Sequence, residues 1–169
     1  MNTSAVFIEA FGRIRQLVNQ SVTGASPDDL SYRPEPGANS IAWLAWHLTR
    51  VQDEHISDAA GREQAWVAEG WHERFGMEPD PENTGRGHGP DEVAAIPPDP
   101  DLLLAHHEIV AARSVAYLAT LDDAELDRII DRAYDPPVTV GVRLVSVISD
   151  NIQHAGQARY LRGIVDRLH

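Results

Sequence analysis

Apolar residues recur at three- and four-residue intervals over most of this chain, the spacing that lines one face of an α-helix. Phe7, Phe11, Ile14, Leu17 and Val18 mark a first helix over about residues 3–21. The stretch Thr23–Asn39, with Pro34, Pro36 and Gly37 near its end, reads as a loop. Asn39 or Ser40 can then cap a second helix, because a short polar side chain accepts from the free N–H groups of a first turn. That helix runs to about Ala60, where Gly61 stops it. An aromatic stretch with Trp66, Trp71 and Phe75 predicts one or two broken helical turns packed on the core.

Residues 76–100 break the pattern, with four glycines and six prolines in 25 positions. So long a structureless connection in a compact domain is usually functional or disordered, and a lid or partner contact is the expected role. A third helix begins near Asp101 and continues to Leu121, followed by a short extra helix within 122–130 that Asp135-Pro136-Pro137 ends. Thr139 can cap the last and longest helix, about residues 140–167. No segment alternates strongly enough to read as a strand. Four long helices in one domain over residues 1–169 predict an all-α four-helix bundle.

Composition narrows the chemistry. The chain carries 14 basic and 26 acidic residues, for a net charge of −12, and every basic residue is arginine. Without lysine there is no Schiff-base or P-loop amine, and without cysteine no thiolate nucleophile, disulfide or cysteine-ligated metal. The acidic balance argues against nucleic-acid binding, which depends on clustered basic residues. No apolar run approaches the roughly 20 residues of a membrane span, and the N-terminal stretch lacks a signal-peptide pattern. The expectation is a cytoplasmic protein. Chemistry falls to carboxylates, hydroxyls and the eight histidines.

On the last helix Asp150 and His154 stand four residues apart, His154 within the apolar sector and Asp150 at its edge. A carboxylate and an imidazole pointing inward are costly to bury unless paired with each other or with a cation. The second helix offers His47, on the flank of its apolar face, and His55, at the centre. Periodicity does not choose between them. His106 and His107 are adjacent, so at most one is expected to face inward. His72 and His88 read as surface residues within reach of a site mouth, and His169 is terminal. The tryptophans read as core or interface anchors.

Three segments carry a resemblance: SIAWLAWHLTRVQDEH, AWVAEGWHERFG, and VTVGVRLVSVISDNIQHAGQARYLRG. They resemble the DinB-like superfamily, which also includes the N-terminal domain of mycothiol-dependent maleylpyruvate isomerases. The resemblance implies an up-down-down-up bundle, often homodimeric, with a divalent metal near one end. It implies His47, Asp150 and His154 as the metal ligands. Asp150 departs from the histidine common at that position, whereas the mycothiol-dependent branch uses a carboxylate with two histidines. Such a ligand set suits zinc with an open position, and nickel, iron(II) or manganese are chemically acceptable. The expected activity is a metal-dependent transfer of an external low-molecular-weight thiol, such as mycothiol, to a small-molecule substrate. A metal-activated-water hydrolase and a non-catalytic metal-binding module are the alternatives. Arg50, Arg143 and Arg159 are candidates for holding a substrate carboxylate or for surface ion pairs.

Overall fold

The computed structural model describes residues 2–168. His169 therefore lies outside the described residues. In chain order the helices and strands are α1 (Thr3–Val22), α2 (Pro27–Ser31), α3 (Ile41–Ala59), α4 (Ala65–Ala68), α5 (Trp71–Arg74), α6 (Pro90–Ala94), α7 (Pro100–Leu118), α8 (Asp123–Leu126), β1 (Ile129–Asp131), β2 (Val138–Thr139) and α9 (Val140–Val165). The four long helices start where side-chain caps allow. Asn2, Ser40, Asp99 and Thr139 each accept from a first-turn N–H of α1, α3, α7 and α9, a contribution of about 1 kcal/mol per cap.

Helices α1, α3, α7 and α9 form the bundle. Helix α3 packs on α7 and α9, and α1 packs on the same two, so α1 and α3 lie on a diagonal. Side-chain contacts give the directions. Trp43 and His47 of α3 meet His154 and Asp150 of α9 in opposite chain order, so these two helices are antiparallel. Thr49 and Gln52 meet His107 and Ser114 in the same order, so α3 and α7 are parallel. With Ser4 bonded near the end of α7 and Arg15 paired to Glu108, α1 runs against α7. The topology is up-down-down-up.

A parallel α3 and α7 impose a return crossing. The chain must travel back along a 19-residue helix, about 28 Å at 1.5 Å per residue. The segment between Ala60 and Asp99 makes that journey. It is ordered, with α4, α5 and α6 within it, and it lies against α3. Consequently α3 is buried along its first three turns on every side, from Ile41 to Asp53. The buried polar residues His47, Thr49, Arg50, Gln52 and Asp53 are each partnered. Arg50, at 0% exposure, pairs with Asp53, donates to Gln64 and the carbonyls of Pro81 and Asn83, and lies over the Trp66 ring. Burial lowers its pKa to about 10, so it remains charged at neutral pH.

Three sequence expectations change. Within 23–39, Ser26 and Asp29 form a capping box that makes the short helix α2, with Leu30 buried. Residues 129–139 form a two-stranded antiparallel ladder, too short for an alternating pattern to register. Both His106 and His107 are buried. His106 sits among Trp66, Trp71 and Phe75 of the crossing, whereas His107 Nδ1 donates to Thr49 Oγ1 on α3 at 2.8 Å. Helix α7 is covered on two sides, so adjacent residues can both point inward.

These buried imidazoles make stability acid-sensitive. Burial lowers the pKa of His107 from 6.5 to about 4, and that of His106 well below its ordinary value. The unfolded chain binds a proton below pH 6.5 that folded His107 refuses until about pH 4. Stability is therefore fully present above pH 6.5 and lost as pH falls through that window, by about 3 kcal/mol for this residue. Urea denaturation at about pH 7.5 and about pH 5 checks this. The loss between the two should be smaller in His107→Leu than in the unaltered protein, and equal losses contradict it.

Candidate metal centre

Position 47 falls on the second turn of α3, facing α9, where Asp150 and His154 project one helical turn apart. Asp150 Oδ2 lies 4.0 Å from His47 Nε2, and Asp150 Oδ1 lies 3.6 Å from His154 Nε2. One ligand atom from each of the three can be chosen so that all lie within 4.8 Å of one another. The structure thus brings together the three residues named from the sequence. His55 stands two turns further along α3, on the wall of the adjoining cleft and apart from this group.

Each imidazole is held by its other nitrogen. His47 Nδ1 faces the carbonyl oxygen of Thr84, which can only accept, so Nδ1 carries the hydrogen and Nε2 keeps its lone pair. His154 Nδ1 likewise donates to Gln157 Oε1 at 2.9 Å. The Trp43 ring stacks on His47 at 4.5 Å and meets His154 edge-on. His47 and His154 are themselves perpendicular, with centroids 4.7 Å apart. Both Nε2 atoms therefore point toward the Asp150 carboxylate from fixed directions. This is the support that imidazole ligands of metal ions generally have.

The electrostatics are uneven. Burial lowers the pKa of His47, against the pull of the Thr84 carbonyl, so His47 is neutral. The Asp150 carboxylate raises that of His154. For Asp150 burial opposes ionisation, but the neighbouring His154 and His47 outweigh it and hold the carboxyl below its ordinary range. Even so, Asp150 Oδ2 is a buried acceptor with no hydrogen-bond donor. An unpaired buried carboxylate oxygen is costly. A divalent cation bonds imidazole nitrogen and carboxylate oxygen at about 2.0–2.2 Å, so these donors would close in slightly around one ion. The residues fit a metal ion.

A cleft of about 600 Å³ opens onto the group, lined by His47, Asp150, Val51, Glu54, Glu82 and Arg86 among others. It adjoins a second lobe through Glu54, His55 and Glu82. The three arginines weighed as substrate ligands each have protein partners, and of them Arg143 lines the second lobe. Arg50 is buried in its contacts with the crossing, Arg143 pairs with Asp131, and Arg159 donates to the Gln20 carbonyl. Exposed Arg86 on the cleft wall carries no signal in the sequence pattern, and neither does the Thr84 carbonyl. His88, expected at the surface, is half-buried. It accepts from Trp43 Nε1 at 3.2 Å and stacks on Trp46. Among the described residues no helix is long and apolar enough to cross a membrane.

A family model described as the DinB superfamily matches residues 10–158. The chain belongs to the DinB superfamily. The helical bundle is therefore that of a DinB-like protein. Among solved structures, a crystal structure titled as the conserved protein of a locus from Enterococcus faecalis is similar to this DinB-like chain. Its TM-score is 0.87 at 29% identity, covering 96% of each chain. No curated protein matches the chain.

Removing the carboxylate should show the coupling directly. Asp150 is the leading cause of the raised pKa of His154. In metal-free Asp150→Asn the His154 pKa should fall, as followed by imidazole NMR titration. An unchanged value contradicts a direct contact between the two side chains.

Proposed function

We propose that this DinB-like protein binds one divalent metal ion, most suitably zinc, through His47, Asp150 and His154, and uses it to transfer an external low-molecular-weight thiol to a small electrophilic substrate. The observation that carries the reading is the buried, undonated Oδ2 of Asp150 beside two imidazoles that present Nε2 to the carboxylate while Nδ1 is engaged elsewhere. Nickel, iron(II) and manganese suit the same donors, since selectivity among them rests on geometry and supply.

When bound, a divalent ion at such a site supplies Lewis-acid chemistry that favours the thiolate form of a coordinating thiol at neutral pH. The protein's own part is to hold the donors ready. His47 is neutral through burial, and the Thr84 carbonyl fixes which nitrogen carries its hydrogen. Asp150 is ionised and contributes one negative charge. Three protein donors leave room for an exogenous ligand, and the cleft provides the approach. Val51 and Val147 supply apolar wall, while Arg86 and Ser146 supply polar contacts for a substrate. Because the chain has no cysteine, any sulfur nucleophile must arrive on a cosubstrate. Mycothiol is the thiol we favour, on the strength of the sequence resemblance.

Elemental analysis after mild purification should find about one divalent ion per chain, lost in His154→Ala. In the cobalt-substituted protein, saturating mycothiol should add a metal–sulfur absorption band. Metal binding with a spectrum indifferent to mycothiol and other biological thiols would instead favour a non-catalytic metal-binding bundle. A folded protein that takes up no metal on reconstitution would remove both readings.

A further inference from the structure

The crossing between α3 and α7 does more than cover the bundle. Residues 81–88 lie along the first turns of α3, and several independent contacts seat them there. Arg50, fully buried, donates to the carbonyls of Pro81 and Asn83. Asn83 Oδ1 accepts from the Gly85 N–H at 3.2 Å and from His88 Nε2 at 3.0 Å, tying the segment to itself. His88 Nδ1 then accepts from Trp43 Nε1. Since one His88 nitrogen accepts from an indole N–H and the other donates to an amide oxygen, its hydrogen is also fixed.

Gly85 is the closest point of approach. Its φ is +92°, and a Cβ there would stand 2.7 Å from the Trp46 ring and 3.1 Å from the Trp43 ring. Any side chain must therefore push the segment off both tryptophans. The residue before it is Thr84, 6% exposed, whose carbonyl holds His47 Nδ1. Gly87 provides a natural comparison. Its φ of +86° carries the same backbone requirement, yet a Cβ there meets nothing within 4 Å.

From these contacts we infer that residues 81–88 are a strap that sets the ring position and tautomer of His47, with Gly85, Asn83 and Arg50 as its positioning residues. The imidazole cannot choose its tautomer alone, because the two neutral forms of a free histidine are close in energy. A carbonyl delivered to Nδ1 leaves Nε2 as the lone-pair nitrogen, the one that faces Asp150. The strap meets His47 through this hydrogen bond and through the Trp43 ring stacked on it, and its Glu82 and Arg86 line the adjoining cleft. Its effect on metal affinity rests on the proposed metal binding; its effect on the tautomer does not.

The test compares Gly85→Ala with Gly87→Ala, reading two quantities in each. Long-range imidazole ¹H–¹⁵N NMR of the metal-free protein gives the His47 tautomer. Competition with a chromophoric chelator gives the zinc dissociation constant. Gly85→Ala should mix the tautomers and weaken zinc binding about 10- to 100-fold, the range typical of lost outer-shell support. Gly87→Ala should leave both at the unaltered values. Should Gly85→Ala fail to fold, Asn83→Ala cuts the internal tie without a steric clash and should move both readouts in the same direction. Thr84→Ala keeps the carbonyl and should behave as the unaltered protein. Unchanged tautomer and affinity in the folded Gly85 or Asn83 variant overturn the strap, as does an equal loss in Gly87→Ala. A tautomer shift in a protein that binds no zinc supports the strap while overturning the metal reading.

Discussion

The parallel course of α3 and α7 is the constraint from which the site follows. Antiparallel neighbours can be joined by a short turn, but parallel ones require the chain to retrace the bundle. Here the retracing segment passes over the beginning of α3, buries that helix on its remaining side, and places the Thr84 carbonyl against His47. Arg50 holds the passage in place. A buried guanidinium with this many acceptors is difficult to replace, because removing it would leave Asp53 and two loop carbonyls short of a donor. Asp53 in turn caps the start of α4 through the N–H groups of Ala65 and Trp66.

A second consequence is the division of labour among polar groups inside the bundle. One set joins helices: Gln52 donates to Ser114 and accepts from Asn151, and His107 donates to Thr49, locking α3, α7 and α9 in register. The other set faces the cleft. Asn151 is anchored by Gln52, and the neighbouring Asp150 presents an oxygen that nothing satisfies. The first set fixes helix positions. The second set has unused lone pairs at a cleft, which is where an external cation gains most.

Much of this is legible in the chain. Helix starts at Ser40 and Thr139 follow from short polar side chains before apolar runs, and the i, i+4 spacing of Asp150 and His154 puts both at one face. The choice of His47 over His55 is not legible from periodicity, since both fall in or near the same apolar sector. The resemblance to the DinB-like family points to His47, and the physical difference is a carbonyl 37 residues away. The double burial of His106 and His107 escapes periodicity for a related reason. A helical wheel supposes one buried face, and the crossing gives α7 a second. The glycines at 85 and 87 are visible as a break in pattern, but the tryptophan contact that makes only one of them sterically critical is a tertiary fact.

The central claim is that His47, Asp150 and His154 converge on one cation. X-ray absorption spectroscopy of the zinc-loaded protein tests it most directly. Two imidazole nitrogens and one carboxylate oxygen from the protein should appear at about 2.0–2.2 Å, with the remaining coordination from small exogenous ligands. Asp150→Ala should remove the carboxylate contribution and leave the imidazoles. A zinc shell without imidazole, or one unchanged by the loss of Asp150, would contradict convergence of the three residues on the metal.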